Sequence, residues 1–528
     1  MASAAIQPSA KDIRLVIAAS ALGTVFEWYD FFIYGTLAAI IGRTFFPAES
    51  ETAQLLLALG GFAVGFGVRP FGAILFGYLG DRLGRKYTFL VTITLMGLAT
   101  AAVGLVPGSA QIGFAAPVII LTLRVLQGLA LGGEYGGAAI YVAEHAPDGK
   151  RGFYTSFIQA GVAGGFILSL AVVLATKAIV GPAEWDAWGW RFPFVFSIVL
   201  LIVSLWMRLK LSESPVFKLM KERGELARNP LKETFTWPGN PKRLFVALFG
   251  IAAGLTVIWY TAMFQVLYFL QNGMKVEPTV AQILVGIGTF FGLFWFVFFG
   301  RLSDRVGRKK PIVIGYALTL VLLFPIFHLI GNAANPGLSV ASQTARVVVS
   351  GSDCSYDPFA KVQASDCGKL LDYFSKKGVT YTKEAASTAS VSIAGRTVTD
   401  TSPAALDAVL IANGYNLGQV TPTGAQIASI LLGILALSCL SGMTYGPVAA
   451  LLSELFPPRI RYSSMSIPYH FGTGYFGGFL PVISQLIVAK SGDPYAGLWY
   501  TIAVVAVALV VTLFLLPETG GRDLDAAA

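Results

Sequence analysis

Apolar runs set apart by short polar stretches recur from one end of the chain to the other, and about 20 residues of helix are enough to cross a bilayer. Twelve such runs stand out, at residues 14–41, 53–79, 88–107, 115–141, 152–177, 191–211, 244–270, 279–300, 311–331, 425–450, 463–489 and 496–516. The first is too long for a secretory signal and holds two carboxylates, so it is read as a retained span. The alternation fails once. Residues 332–424 mix polar and apolar positions, with strand-like runs at Arg346–Val349 and Val391–Ala394 and helix signals near 366–377 and 403–413. Ser402 and Pro403 stand as N-cap and first helical residue of the second of these. The pattern predicts an all-α membrane protein with twelve transmembrane helices and a small α+β insertion between spans 9 and 10.

Composition agrees. Of 528 residues, 55% are hydrophobic and 13% charged, more apolar surface than a single soluble core can use. The net charge of +9 would suit nucleic acid, but most basic residues sit in loops on one side of the membrane, so the partner they imply is the lipid bilayer and not nucleic acid. That asymmetry predicts cytoplasmic termini and an external insertion. The expected partition is a tail at 1–13, an N-terminal bundle at 14–211, a basic cytoplasmic linker at 212–243, a C-terminal bundle at 244–331 and 425–516, the external insertion at 332–424, and a tail at 517–528. Cys354 and Cys367 both lie in the insertion. In an oxidising compartment they are placed to close a short loop by a disulfide. Which protein the insertion docks, if any, is left open.

The halves repeat. Gly77-Tyr-Leu-Gly-Asp81-Arg82-Leu-Gly84-Arg85-Lys86 is echoed by Gly300-Arg-Leu-Ser-Asp304-Arg305-Val-Gly307-Arg308-Lys309, 223 residues on. Glu144 with Arg151 is echoed by Glu454 with Arg461, 310 residues on. The growing offset locates the insertion between spans 9 and 10, and the duplication predicts two pseudo-symmetric six-helix bundles. The basic loop resembles the loops between helices 2 and 3 and between helices 8 and 9 of the major facilitator superfamily. That resemblance implies that the Asp caps neighbouring helix ends and that the basic residues hold an inward gate. Further stretches are similar to its metabolite:proton symporter family: Glu27-Trp-Tyr-Asp30-Phe, Arg69-Pro-Phe-Gly, Gly128-Leu-Ala-Leu-Gly-Gly-Glu134-Tyr, Gly189-Trp-Arg191-Phe-Pro193 and Glu213-Ser-Pro-Val-Phe217. The likeness covers the chain outside 332–424 and implies a bacterial inner (plasma) membrane location.

Ionisable residues inside spans are few and belong to the first half. Glu27, Asp30 and Tyr34 recur at i, i+3 and i+7, which puts two acids and a phenol on one helix face. Each acid at a span centre costs about 2.5–3.5 kcal/mol, so the face must meet a partner or a wet cavity; an interhelical ion pair without a transport role is the plain alternative. Arg69, followed by Pro70, lies near the depth of Glu27. Arg124, Gln127 and Glu134 share a sector of span 4, and Arg124 with Gln127-Gly128 resembles the superfamily motif linked to proton coupling. Asp30, Glu27, Arg124 and Glu134 are therefore the expected coupling residues. Arg69, Arg124, Tyr34 and Gln127, with Trp259, Tyr260, Tyr445, Tyr469 and His470 of the second half, are the expected substrate contacts. Any one of the latter five is as readily a core residue.

No phosphate loop, metal-spaced His/Cys set or nucleophilic triad occurs, so neither enzyme activity nor a metal or cofactor is expected beyond the proton as coupling ion. Span 5 lacks the Gly-Pro that the superfamily's antiporters show, which leans toward symport. The expected function is proton-coupled import, by alternating access, of a small organic acid, a mono- or dicarboxylate clamped by Arg69 and Arg124. The alternative is symport of a zwitterionic osmolyte such as proline or betaine, caged by Glu27 and aromatic residues. A nutrient sensor and a uniporter or drug exporter are remoter readings.

Overall fold

The computed structural model describes residues 10–47, 50–83, 85–132, 139–140, 142–144, 146–209, 229–360, 362–522 and 524; the side chains of 10–20, 77–89, 208 and 230 fall outside that description. The first half contains α1 (Ala10–Thr36), α2 (Ala38–Phe45), α3 (Glu51–Gly67), α4 (Arg69–Leu83), α5 (Arg85–Leu105), α6 (Ala115–Leu131), α7 (Arg151–Val180) and α8 (Phe192–Leu209). The second half begins with α9 (Asn240–Gly273), α10 (Pro278–Val306) and α11 (Lys309–Ala334). Among the described residues, nine helices are long and apolar enough to cross a membrane. The described part of the 212–243 linker begins at Asn229.

Two spans are not the single helices that the hydropathy suggests. The first breaks at Leu37, where φ is −103° and ψ 17°, and resumes as α2. The second breaks at Val68, immediately before Arg69. Pro70 lacks an N–H and its ring crowds the preceding turn, yet Gly72 N–H still reaches Val68 O at 3.1 Å, so the chain kinks without stopping.

Helices close on one another where side chains vanish, as apolar packing in lipid requires. A Cβ on Gly128 would lie 1.9 Å from Gly65 O, which locks α6 against α3. A Cβ on Gly300 would lie 2.5 Å from the Ser156 side chain, which brings α10 of the second half against α7 of the first.

The insertion has a core of its own. It holds β1 (Val347–Gly351), α12 (Asp366–Lys377), β2 (Tyr381–Ala385), β3 (Ser390–Ile393), β4 (Arg396–Val398) and α13 (Pro403–Ala412), with the sheet in order β2-β1-β3-β4. β1 and β2 run parallel and are joined through α12; β3 pairs antiparallel with β1 and β4. Val347, Val349, Val391, Leu371, Phe374, Leu406 and Leu410 fill the space between sheet and helices. Cys354 and Cys367 form a disulfide that ties the loop after β1 to the first turn of α12. Two strands have no apolar signature. β2 is an exposed edge reading Tyr-Thr-Lys-Glu-Ala, and β4 is set by a two-residue turn in which Ala394 (φ 51°) and Gly395 (φ 76°) both take left-handed backbone. Ser402 precedes α13 as expected, but its side chain makes no cap hydrogen bond.

The chain then returns through α14 (Gly424–Leu455), α15 (Pro458–Ser491) and α16 (Leu498–Leu515). α15 holds Pro468 and winds wider at Gly472–Gly478, as α9 does at Val246–Ala252 and Thr261–Gln265. Such i→i+5 winding inside helices turns side chains off the regular register and is common at functional sites.

Candidate functional site

Two buried arginines meet the apolar interior in different ways. Arg124 on α6 has its guanidinium 4.2 Å from the Tyr34 ring centre and 5.0 Å from that of Phe31. It donates to Gln127 Oε1, whose amide nitrogen donates to Thr100 Oγ1 at 2.6 Å. The Asp30 carboxylate is within its electrostatic reach. Asp30 and Glu27 line a small cavity of about 20 Å³ with Phe26, Met96 and Ser204. Asp30, Glu27 and Arg124, three of the four residues expected to couple protons, thus gather around one cluster. Glu134 lies outside the described residues.

Arg69 is fully buried between the faces of Trp28 and Phe66, 5.0 and 5.1 Å from the ring centres. Rings of this kind return up to about 2 kcal/mol each to a desolvated cation, against roughly 2.5–3.5 kcal/mol for placing an arginine in a span. The rings can therefore hold the charge, but they accept no directed hydrogen bonds. Nε, Nη1 and Nη2 find no hydrogen-bond partner among the described residues, and each orphaned donor costs about 1–3 kcal/mol. Around this guanidinium, within electrostatic reach, stand Tyr260, Tyr445, Tyr469, His470 and Glu27. Tyr445 and Tyr469 share a hydrogen bond of 2.6 Å. Trp28, Thr256, Trp259, Tyr260, Tyr445, Tyr469 and Thr473 line an adjoining cavity of about 10 Å³.

The expected substrate contacts thus divide into two groups. Arg69, Trp259, Tyr260, Tyr445, Tyr469 and His470 form one wall. Arg124, Tyr34 and Gln127 form a second cluster, with the Phe31–Phe66 ring pair (4.3 Å) between the arginines. A two-arginine clamp on one carboxylate is not assembled. Trp28, Phe66, Thr256 and Thr473 were not singled out as contacts; Trp28 had a signal, as neighbour to Glu27 in the quoted motif.

An aromatic plug joins the halves beside this wall. Phe32 stacks on Trp259 at 5.1 Å, Phe62 and Phe166 pack on Phe264, and Tyr268 donates to Gly35 O at 2.8 Å. Beyond it, at the end bearing the insertion, opens a cavity of about 380 Å³.

The opposite end is shut by charge. Asp304 of α10 accepts from Gly152 N–H at 2.7 Å and Phe153 N–H at 2.8 Å, capping the N-terminus of α7 across the interface between halves. Arg308 donates to Asp304 at 2.7 Å and, through two nitrogens, to Glu454 at 3.1 and 3.0 Å. The repeated Glu and Arg pairs exchange partners: Arg151 approaches Glu454 at 3.9 Å and Arg461 approaches Glu144 at 3.4 Å. Gly300 and Gly307 belong to this closure; at Gly307 (φ 94°) a Cβ would lie 2.4 Å from Glu518. Arg305, expected in the gate, is exposed instead: it lies in the last turn of α10, whereas Arg308 follows the turn at Gly307 and is buried. In the first loop Gly84 is outside the described residues, as are the side chains of Asp81, Arg82 and Arg85 and the surroundings of Gly77.

Buried cations between aromatic rings, a plug at one end and an ionic clamp across two halves at the other describe a membrane transporter. A sequence model of the family described as "Sugar (and other) transporter" matches residues 15–249 and 402–528. The chain belongs to that family, within the major facilitator superfamily, and is an integral membrane protein; such transporters are not enzymes and need no cofactor. It is 28% identical over 525 residues, 98% of this chain and 85% of the relative, to a glycine betaine/proline/ectoine/pipecolic acid transporter of Dickeya dadantii. It is 30% identical over 523 residues, 96% and 95% of the two chains, to an inner membrane metabolite transport protein of Escherichia coli. A proline/betaine transporter of E. coli is 35% identical over 332 residues, 61% of this chain and 65% of the relative. A solved xylose transporter from E. coli, in a partially occluded inward-open conformation, shares the fold with a TM-score of 0.60 at 18% identity over 97% of this chain and 100% of the other.

Glu454→Gln removes the charge that Arg308 holds through two nitrogens, and breaking a buried pair from one side costs about 3–5 kcal/mol. The expected result is faster modification, by a membrane-permeant maleimide, of a cysteine placed at Ser156, which is buried at the crossing of α7 and α10. Unchanged labelling contradicts the clamp.

Proposed function

We propose that the protein imports a small zwitterionic osmolyte of the betaine or proline type together with protons, by alternating access between two six-helix bundles of twelve helices in all. The observation that carries this reading is Arg69, held between Trp28 and Phe66 with three unpartnered nitrogens. A carboxylate supplies the missing acceptors, and Trp259 and Tyr260 offer ring faces to a quaternary or secondary ammonium a few ångströms away. The relatives named for betaine and proline favour this over the organic acid. So does the division of the arginines, since Arg124 sits in a separate cluster with Gln127, Tyr34 and Phe31. The insertion is assigned to the outside of a bacterial inner membrane and both termini to the cytoplasm, on the charge of the loops. In that orientation the clamp of Arg308, Asp304 and Glu454 closes the inward side and the plug of Phe32, Trp259 and Phe264 separates the centre from the outside.

Asp30, with Glu27 beside it, is the proton site. Substrate and conformation decide how closely Arg124 engages it, and hence whether it holds a proton. A potential of 100 mV acting on one transferred charge contributes about 2.3 kcal/mol, enough for roughly fifty-fold accumulation.

Competition tests the substrate class. Glycine betaine and proline are expected to displace one another from the purified protein and to raise its thermal stability, with succinate and lactate inert; stabilisation by the acids alone reverses the reading. Asp30→Asn fixes the neutral form of the side chain. It is expected to abolish pH-driven accumulation in proteoliposomes while sparing exchange of internal for external substrate, and continued uphill uptake assigns coupling elsewhere.

A further inference from the structure

The cavity of about 380 Å³ has three walls: Arg43, Ser50, Glu51 and Leu55 from the first half, Gln265, Tyr268, Lys275 and Gln485 from the second, and Ser375, Lys376, Gly378 and Val379 from the insertion. It lies in the size range of ligand pockets, about 300–1,000 Å³, unlike the cavity of about 10 Å³ beside Tyr445 and Tyr469. Its floor is Tyr268, whose hydroxyl ties the second half to Gly35 of the first.

Its polar groups are built in. Gln265 is only 1% exposed. Its amide oxygen accepts from Ser484 Oγ at 2.5 Å and from Gln485 Nε2 at 3.2 Å, which fixes the amide, while Nε2 has no hydrogen-bond partner among the described residues. Lys275 sits in left-handed backbone (φ 56°), held by Val420 N–H donating to its carbonyl at 2.9 Å. Its ammonium donates to Lys376 O of the insertion at 3.1 Å. Burial pushes this amine below the ordinary lysine range, with Glu51 opposing the shift, so an added anion relieves it. The roof is fastened to both halves: Ser50 Oγ donates to Pro358 O at 3.1 Å and Lys383 Nζ to Lys490 O at 3.2 Å.

We propose that this chamber is a second, outer substrate site, in which the carboxylate of a small zwitterion lies on the Gln265 amide and the Lys275 ammonium and its cationic group faces Glu51 and the Tyr268 ring. The inference rests on the zwitterion reading given above and extends it to a site roofed by the insertion. The substrate rests there before the plug of Trp259, Phe264 and Tyr268 parts and passes it to Arg69.

Equilibrium dialysis of radiolabelled glycine betaine against the full-length purified protein tests this by stoichiometry. Two sites per chain are expected, with one remaining in Arg69→Gln. Lys275→Gln is expected to weaken the remaining site at least tenfold. Gln265→Leu is expected to remove it, with circular dichroism and gel filtration confirming the fold. A single site in the wild type that Arg69→Gln abolishes overturns the outer site and leaves the zwitterion reading standing. A second site indifferent to both Lys275→Gln and Gln265→Leu also overturns it. No binding to the wild type overturns both.

Discussion

A guanidinium inside a hydrocarbon slab must be given back most of what water gave it, and the two arginines of the first half receive different settlements. Arg124 is joined through Gln127 to Thr100, whose hydroxyl lies 2.9 Å from Met96 O, and has Asp30 within electrostatic reach. Only Nη2 donates, while Nε and Nη1 find no hydrogen-bond partner among the described residues, so its demand is met in part, by Gln127 and the faces of Tyr34 and Phe31. Arg69 has rings for its charge and nothing for its N–H donors. Its demand is left for something that arrives from outside. In the function proposed above the cradled Arg69 anchors substrate and Arg124 acts beside Asp30; the position of Arg69 depends on Pro70 and the break at Val68, after which a new helix begins.

The two ends of the molecule are closed by unlike forces. Toward the insertion the halves meet mainly through aromatic rings, whose contacts are broad but individually weak, with hydrogen bonds from Tyr268 to Gly35 O and from Lys177 to Thr279 among the described residues. At the opposite end they meet through the Asp304 cap on α7 and two crossed Glu–Arg approaches, with Arg308 tying Asp304 to Glu454 inside the second half. Directional buried charge gives an all-or-none contact, which is what a two-state rocking motion needs. The exchange of partners between the repeated Glu and Arg pairs follows from the duplication: each half carries both members, so facing halves each offer the other an acid and a base.

The sequence made the helices legible because hydropathy in a bilayer has no competitor. It also exposed the insertion, from the shift in repeat spacing, and the helices at 366–377 and 403–412, the second from its Ser402-Pro403 start. Strands β2 and β4 were not legible, since a polar edge strand and a hairpin turning on Ala394 carry no apolar alternation. The coupling cluster could be read because Glu27, Asp30 and Tyr34 lie within two turns of one helix. The cradle of Arg69 could not, because Trp28 and Phe66 reach it from helices whose crossing is set by glycine contacts such as Gly65 with Gly128. The gate was half legible: Arg308 carries it and Arg305 does not, a difference decided by the turn at Gly307.

The account stands on Arg69 as the anchor. A structure of the protein in nanodiscs with glycine betaine, at a resolution that shows side chains, tests it most directly. The prediction is ligand density with its carboxylate within hydrogen-bond reach of the Arg69 guanidinium and its methyl groups against Trp259 and Tyr260. Density only elsewhere in the central region, with Arg69 still between Trp28 and Phe66 and its nitrogens without acceptors, would contradict it.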